Sequence, residues 1–183
     1  MDEPKFAERL KNKIQERLGS SRYEVKTGKN LIYKIIVNPR GQFEPEEAKA
    51  PKRGAFAFQT DLLITMKSQQ LPLVVIETKY NAFSTHDILT YSTKAQKHKE
   101  IYPYLRYGLV VGGIDIIQNR FFTHNSGFDF ALALKRIDDR SLAKLIKIIK
   151  EQIKSAEMIL DILTEKNRTR SFNTRSMIEK IKA

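Results

Sequence analysis

Three residues combine side-chain types and spacing that could do chemistry: Asp61, Glu77 and Lys79. Leu71 to Ile76 (LPLVVI) is an apolar run of the kind that makes a buried strand, and it stops at Glu77-Thr78-Lys79. Side chains alternate along a strand, so Glu77 and Lys79 share one face and Thr78 points away. A carboxylate and an ammonium in that position are costly unless they are paired or bound to a metal. Upstream, Asp61 interrupts another apolar stretch, between AFAFQT and LLIT. A hairpin turned at Lys67 to Gln70 and centred near residue 69 brings Asp61 beside Glu77. Two converging carboxylates can hold a hard divalent cation through oxygen, and magnesium in such a site keeps positions for water and phosphate. That cation polarises a phosphoryl oxygen and lowers the pKa of a bound water. A neighbouring lysine orients the water or stabilises charge in the transition state. The chemistry this set suits is phosphodiester hydrolysis. Glu-x-Lys also occurs at Glu3/Lys5, Glu24/Lys26 and Glu47/Lys49, but none of those follows a buried run with an Asp on a neighbouring strand. The plain alternative is a same-face Glu–Lys pair on an edge strand, with Asp61 at a strand end.

The elements that must position these residues can be read from periodicity. Phe6, Leu10, Ile14 and Leu18 recur every four residues and predict a helix over 4–18, stopped by Gly19. Arg22 to Lys26 and Leu31 to Val37 read as two strands around a Thr27-Gly28 turn. Residues 38–54 are rich in Pro, Gly and charge and read as a loop. Ala55 to Met66 and Leu71 to Tyr80 read as the two strands of the hairpin. Ile88, Tyr91, Ala95, His98 and Tyr102 mark one face of a helix over 85–102, ended by Pro103. Tyr107 to Val111 is a short apolar strand, and residues 114–134 give one or two more strands, including FDFALAL. Leu142, Leu145, Ile149, Ile153, Ala156, Leu160 and Leu163 form the stripe of a long helix over 139–165. The order predicts a mixed α/β domain with a sheet flanked by helices.

Composition narrows the classes of partner. The 183 residues suit one domain, and a hydrophobic fraction of 41% can build a core. Lys and Arg number 33 against 21 Asp and Glu, a net charge of +12. That excess favours a polyanion, of which nucleic acid is the commonest; an anionic membrane surface is the other reading. With no cysteine, disulfides and thiolate metal sites are excluded. No stretch has the length and apolarity of a transmembrane helix, and the acidic start of MDEPKFAERLKNKIQERL lacks the apolar core of a secretory signal, so a cytoplasmic protein without a membrane partner is expected.

The motif residues resemble the PD-(D/E)XK nuclease superfamily, to which type II restriction endonucleases and several resolvases and repair nucleases belong. Here the motif reads Thr60-Asp61 and then Glu77-Thr78-Lys79, with Thr60 in place of the motif's proline. The order of elements is similar too, over roughly residues 4–112. The resemblance implies an α/β fold with a restriction-endonuclease-like core: a central mixed β-sheet flanked by α-helices, followed here by the long C-terminal helix. The nuclease domain would span 1–165, with a basic tail at 166–183. It also implies that Asp61, Glu77 and the Thr78 carbonyl bind Mg²⁺ and that Lys79 serves the attacking water. Many members add a glutamate from the first helix, for which Glu8 and Glu16 are the candidates, and some add a Gln or Lys from the helix after the motif, here Lys94 or Gln96, of which Lys94 stands closer to the apolar face of its helix. His86, His98 and His124 lack ligand spacing, and His98 reads as a core histidine.

The implied function is a magnesium-dependent endonuclease acting on double-stranded DNA, a sequence-specific type II restriction enzyme or its catalytic subunit. A structure-specific junction or repair nuclease is the alternative with the same site, and a non-catalytic nucleic-acid-binding protein is the alternative without it. Lys94, Lys97 and Lys99 on one helix and Arg168, Arg170 and Arg175 after the long helix are the candidate phosphate contacts. The apolar stripe of the long helix either packs on its own domain or forms a dimer. A homodimer, or a subunit of a heteromeric nuclease, would supply two active sites for two DNA strands.

Overall fold

The computed structural model describes residues 2–37, 39–41, 56–165, 169–174 and 176–180. Most of the expected 38–54 loop, with Lys49, Lys52 and Arg53, lies outside the described residues, as do Arg168 and Arg175. In chain order the elements are α1 (Glu3–Leu18), β1 (Tyr23–Thr27), β2 (Asn30–Ile32), β3 (Ala57–Gln59), β4 (Leu62–Met66), β5 (Leu71–Tyr80), α2 (Thr85–Ile101), β6 (Arg106–Gly112), α3 (Asn119–His124), β7 (Phe130–Leu134) and α4 (Asp139–Thr164). Five strands form a mixed sheet in the order β1-β4-β5-β6-β7. β1, β4 and β5 pair antiparallel, whereas β5, β6 and β7 run parallel.

Local sequence explains the helix boundaries. The Asp2 side chain accepts the Lys5 N–H at 3.0 Å and caps α1, which has Pro in its first turn; Gly19 ends the helix with φ at 74°. Reciprocal capping boxes start α2 (Ser84 with Asp87) and α4 (Asp138 with Ser141). α1 and α4 cover one face of the sheet, over Leu62, Ile64, Val74 and Ile76. α2 covers the opposite face, over Leu63, Val75, Leu109 and Val111. Side chains of β4 and β5 alternate between the two covered faces, so both strands are buried almost without a break.

Several expectations need correction. The strand expected over Ala55 to Met66 is broken at Thr60-Asp61. The Thr60 N–H and hydroxyl both donate to the Lys29 carbonyl, each at 2.9 Å, and the chain bends there out of one sheet into another. β3 pairs with β2 in a separate two-stranded sheet, and only β4 joins the main one. For the same reason β1 and β2 do not form a hairpin around Thr27-Gly28: β1 pairs with β4 instead. Residues 114–134 hold one strand, β7, preceded by the short helix α3. The stripe of α4 from Leu142 to Ala156 is buried against the sheet of its own domain, with Leu145 and Ile149 both 0% exposed, so this part of the helix is not free to meet a second copy.

Candidate active site

The β4–β5 hairpin sets the site. Its register pairs Leu62 with Ile76, Leu63 with Val75 and Ile64 with Val74, so the residue before Leu62, Asp61, falls beside the residue after Ile76, Glu77. A register shift between Ile64 and Thr65 brings Thr65 opposite Pro72, which has no N–H to give the ladder. Beyond Ile76, β5 continues without β4 while keeping β6 as its other neighbour. The Thr78 N–H is therefore left without a strand partner, and the Asp61 carboxylate takes it: Asp61 Oδ2 accepts from Thr78 N at 2.7 Å and from Thr78 Oγ1 at 3.0 Å. A strand residue's N–H and C=O point to the same side, so the Thr78 carbonyl faces the same edge as Asp61.

Glu77 is 0% exposed. Its Oε1 accepts the Tyr107 hydroxyl at 2.5 Å and the Lys94 ammonium at 3.3 Å, whereas Oε2 is buried with no hydrogen-bond partner. Burial first, and then the nearby Asp61 charge, push the Glu77 pKa up to about 7, against the pull of Lys94 and Tyr107. Burial likewise holds the Tyr107 phenol well above its usual range, so it remains a donor. Tyr107 reaches Glu77 because β6 lies parallel to β5 with Tyr107 opposite Val75, two positions before Glu77 on the same face.

Lys79 follows Glu77 on that face and pairs with Asp87 at 3.2 Å and Glu3 at 3.4 Å. Burial works against its charge, but Tyr91, Asp87 and Glu3 outweigh it and hold the pKa above the usual lysine range. Lys79 is thus a fixed positive charge and not a proton acceptor. The Tyr91 ring lies between the two lysines, with Lys79 Nζ 5.5 Å and Lys94 Nζ 5.1 Å from its centroid. α1 is drawn close to this end of the sheet by Gly112, where a Cβ would fall 2.6 Å from the Phe6 ring. That packing sets Glu3, in the first turn of α1, within reach of Lys79.

The structure brings together Asp61, Glu77, Thr78, Lys79 and Lys94. Glu8 comes to the same end of the sheet, with Oε2 accepting from Thr27 Oγ1 at 3.2 Å and Oε1 from Lys11 at 2.9 Å; Thr27 is the strand partner of Leu62, next to Asp61. Glu16 does not approach: it pairs with Lys13 on the exposed side of α1. Gln96 is exposed and donates to the Ser126 carbonyl at 3.3 Å, so it braces a loop. Lys97 is tied to Glu100, and Lys99 to Asp129 and the Gly127 carbonyl. Arg170 is exposed. His98 is a buried core residue: Nε2 lies 3.1 Å from the Leu31 carbonyl, the ring stacks on Tyr107, and burial pulls its pKa down to about 4. Sequence reasoning passed over Tyr107, Asp87, Tyr91 and Glu3 as site residues. The capping role of Asp87 was readable from Ser84-Thr-His-Asp87, but Tyr107 becomes visible only through the β5–β6 register.

The donor set fits a hard divalent cation. Among the described residues no group of three or more His, Asp or Glu side chains is gathered as for a metal. Two carboxylates and a backbone carbonyl are nevertheless the sparse oxygen set that magnesium, which retains its own waters, accepts. The orphaned Oε2 of Glu77 and the mutual charge of Asp61 and Glu77 are what a cation there would relieve. No protein-family model matches the chain, and no curated protein sequence matches it.

Proposed function

We propose that this protein is a magnesium-dependent endonuclease of the PD-(D/E)XK kind, with a restriction-endonuclease-like core, that hydrolyses phosphodiester bonds in double-stranded DNA as a restriction-type enzyme. The observation that carries the proposal is the fully buried Glu77 with an unpartnered carboxylate oxygen, next to Asp61 and two residues from a fixed lysine charge. A buried carboxylate costs several kcal/mol of order unless something offsets it, and sites built at such cost belong to function more often than to stability.

Asp61 and Glu77 supply the oxygens that would hold the cation, with the Thr78 carbonyl on the same edge. A cation held there would supply charge to polarise the phosphoryl oxygen and to lower the pKa of a water. Thr78 fixes Asp61 through two hydrogen bonds to one oxygen, so the carboxylate is oriented before any ligand arrives. Tyr107 and Lys94 do the same for Glu77 Oε1 and leave Oε2 for the ligand. Lys79, held by Asp87 and Glu3, offers a positive charge to the oxygens on which negative charge grows. The net charge of +12 supports a polyanionic substrate.

The test is incubation with supercoiled plasmid in Mg²⁺, in Ca²⁺ and in chelator. Nicking and linearisation are expected in Mg²⁺ alone, and both are lost in Asp61→Asn and Glu77→Gln. Discrete fragments from a large DNA mark sequence specificity; selective cutting of branched DNA marks a structure-specific nuclease. DNA binding with no cutting in Mg²⁺ defeats the proposal.

A further inference from the structure

A second surface carries charge that the site does not use. Arg17 of α1 and Ala143, Ile146, Lys147, Lys150, Glu151 and Lys154 of α4 line an open groove of about 610 Å³. It lies in the α1/α4 layer, whereas Glu77, Lys79 and Lys94 face α2 on the other side of the sheet. Elsewhere among the described residues the lysines are mostly matched: Lys11 with Glu8, Lys13 with Glu16, Lys97 with Glu100, Lys135 with Asp115. Among the described residues Lys147, Lys150 and Lys154 form no ion pair, although Glu151 stands one turn from two of them, and all three are exposed. Three lysines against the one Glu151 leave this face of α4 net positive, beside an arginine that reaches Asp139 at 2.8 Å.

We infer that this groove binds the sugar–phosphate backbone of a nucleic acid, as a surface separate from the proposed active site. The spacing favours it. At about 1.5 Å rise per residue, positions 147 to 154 cover roughly 10 Å of helix. Steps of three and four residues set the lysines roughly 4.5–6 Å apart along the helix, and their flexible stems let each ammonium reach a separate phosphate of one strand. The groove is open and lined by exposed lysines, which suits a polyanion whose charges follow one another in a line. The apolar lining residues, Ala143 and Ile146, offer no base-reading donors or acceptors, so the groove holds backbone charge without sequence readout.

The inference does not rest on the nuclease reading, because it uses none of Asp61, Glu77 or Lys79. Its test is binding of a short duplex by the full chain in chelator, across a salt series, for the parent, for Lys147→Gln/Lys150→Gln/Lys154→Gln and for a control, Lys5→Gln/Lys11→Gln/Lys13→Gln. The groove variant is expected to flatten the slope of log affinity against log salt by about 2–3, at roughly 0.9 for each phosphate no longer neutralised, and the control by less than about 1. Lys150→Gln alone, expected to lower the slope by about 1, serves if the triple variant does not keep the parent's circular-dichroism melt. A groove variant with the parent's slope overturns the inference. So does loss of sedimentation with phosphatidylserine vesicles while the DNA slope stays unchanged, which would assign the groove to a membrane.

Discussion

The Tyr107 hydroxyl donates to Glu77 Oε1 at 2.5 Å from a neighbouring parallel strand, and both residues are fully buried. A short bond from a neutral donor to a carboxylate stabilises the charged form without bringing in another charge. Tyr107→Phe leaves that oxygen with Lys94 alone. We expect a loss of about 1.5–3 kcal/mol of stability at pH 8 in chelator, the usual worth of a hydrogen bond to a charged group. Urea denaturation checks it; a variant as stable as the parent would mean that the bond contributes nothing.

Titration of Glu77 gives a second prediction with a definite sign. Its pKa is raised from 4.5 to about 7 in the folded protein. Between those values the folded state keeps a proton that the unfolded chain has released. Stability from this group is complete below the unfolded value and falls as pH rises through about 7. Ionised Glu77 at pH 8 in chelator then costs on the order of 3 kcal/mol. Glu77→Gln is expected to exceed the parent in stability at pH 8 and to lose that advantage near pH 4.5. His98 acts in the opposite sense. Its pKa falls from 6.5 to about 4, so its contribution is present above 6.5 and lost as pH drops through 4. The two groups offset each other in the parent, and Glu77→Gln should uncover a stability that climbs between pH 4 and 6.5. Urea melts across that range decide it, and a flat profile in the variant would contradict the assignment.

Lys79 separates cutting from binding. Lys79→Ala is expected to slow plasmid cleavage in Mg²⁺ by about 100-fold or more, the usual effect of removing one preorganised group that stabilises transition-state charge. Duplex affinity in Ca²⁺ should stay near the parent's, because one lysine is a small part of the phosphate-binding charge. Cleavage at the parent's rate would remove Asp61, Glu77 and Lys79 from consideration as the site.

The α4 stripe supplies a prediction about packing. Leu145 is 0% exposed and belongs to the core beneath α4. Leu145→Ala should cost about 2–5 kcal/mol through reduced burial and the cavity left behind. Sedimentation at several concentrations should give the same mass for variant and parent. A variant that changes mass instead of melting point would mean that the helix meets a second copy.

Sequence by itself determined the hairpin that carries the site. The run LPLVVIETKY specified β5 from Leu71 to Tyr80, because a strand buried on both faces must be continuously apolar until something polar ends it. Its length and the turn at 67–70 set the antiparallel pairing next to the turn, but that register alone would bring Asp61 opposite Ile76; the one-residue shift between Ile64 and Thr65 moves it opposite Glu77. Helix ends were legible for the same reason: capping by Asp2, Ser84 and Asp138 acts over three residues. What only the tertiary structure decided depends on packing between segments far apart in the chain. Bending at Thr60-Asp61 required Lys29 as a partner, so the chain's passage between two sheets left no trace in the periodicity of AFAFQTDLLITM. Tyr107 reached Glu77 only through a parallel crossover, whose register no turn encodes. The α4 stripe could not reveal its own partner, because an apolar face is equally content against a sheet or a second helix; burial of Leu142 to Ala156 against β5, β6 and β7 settled that for the first part of the helix. Lys94 was preferred to Gln96 from the apolar face of α2, because it stands closer to that face, and it is Lys94 that meets Glu77; the contact itself depended on the sheet beneath the helix.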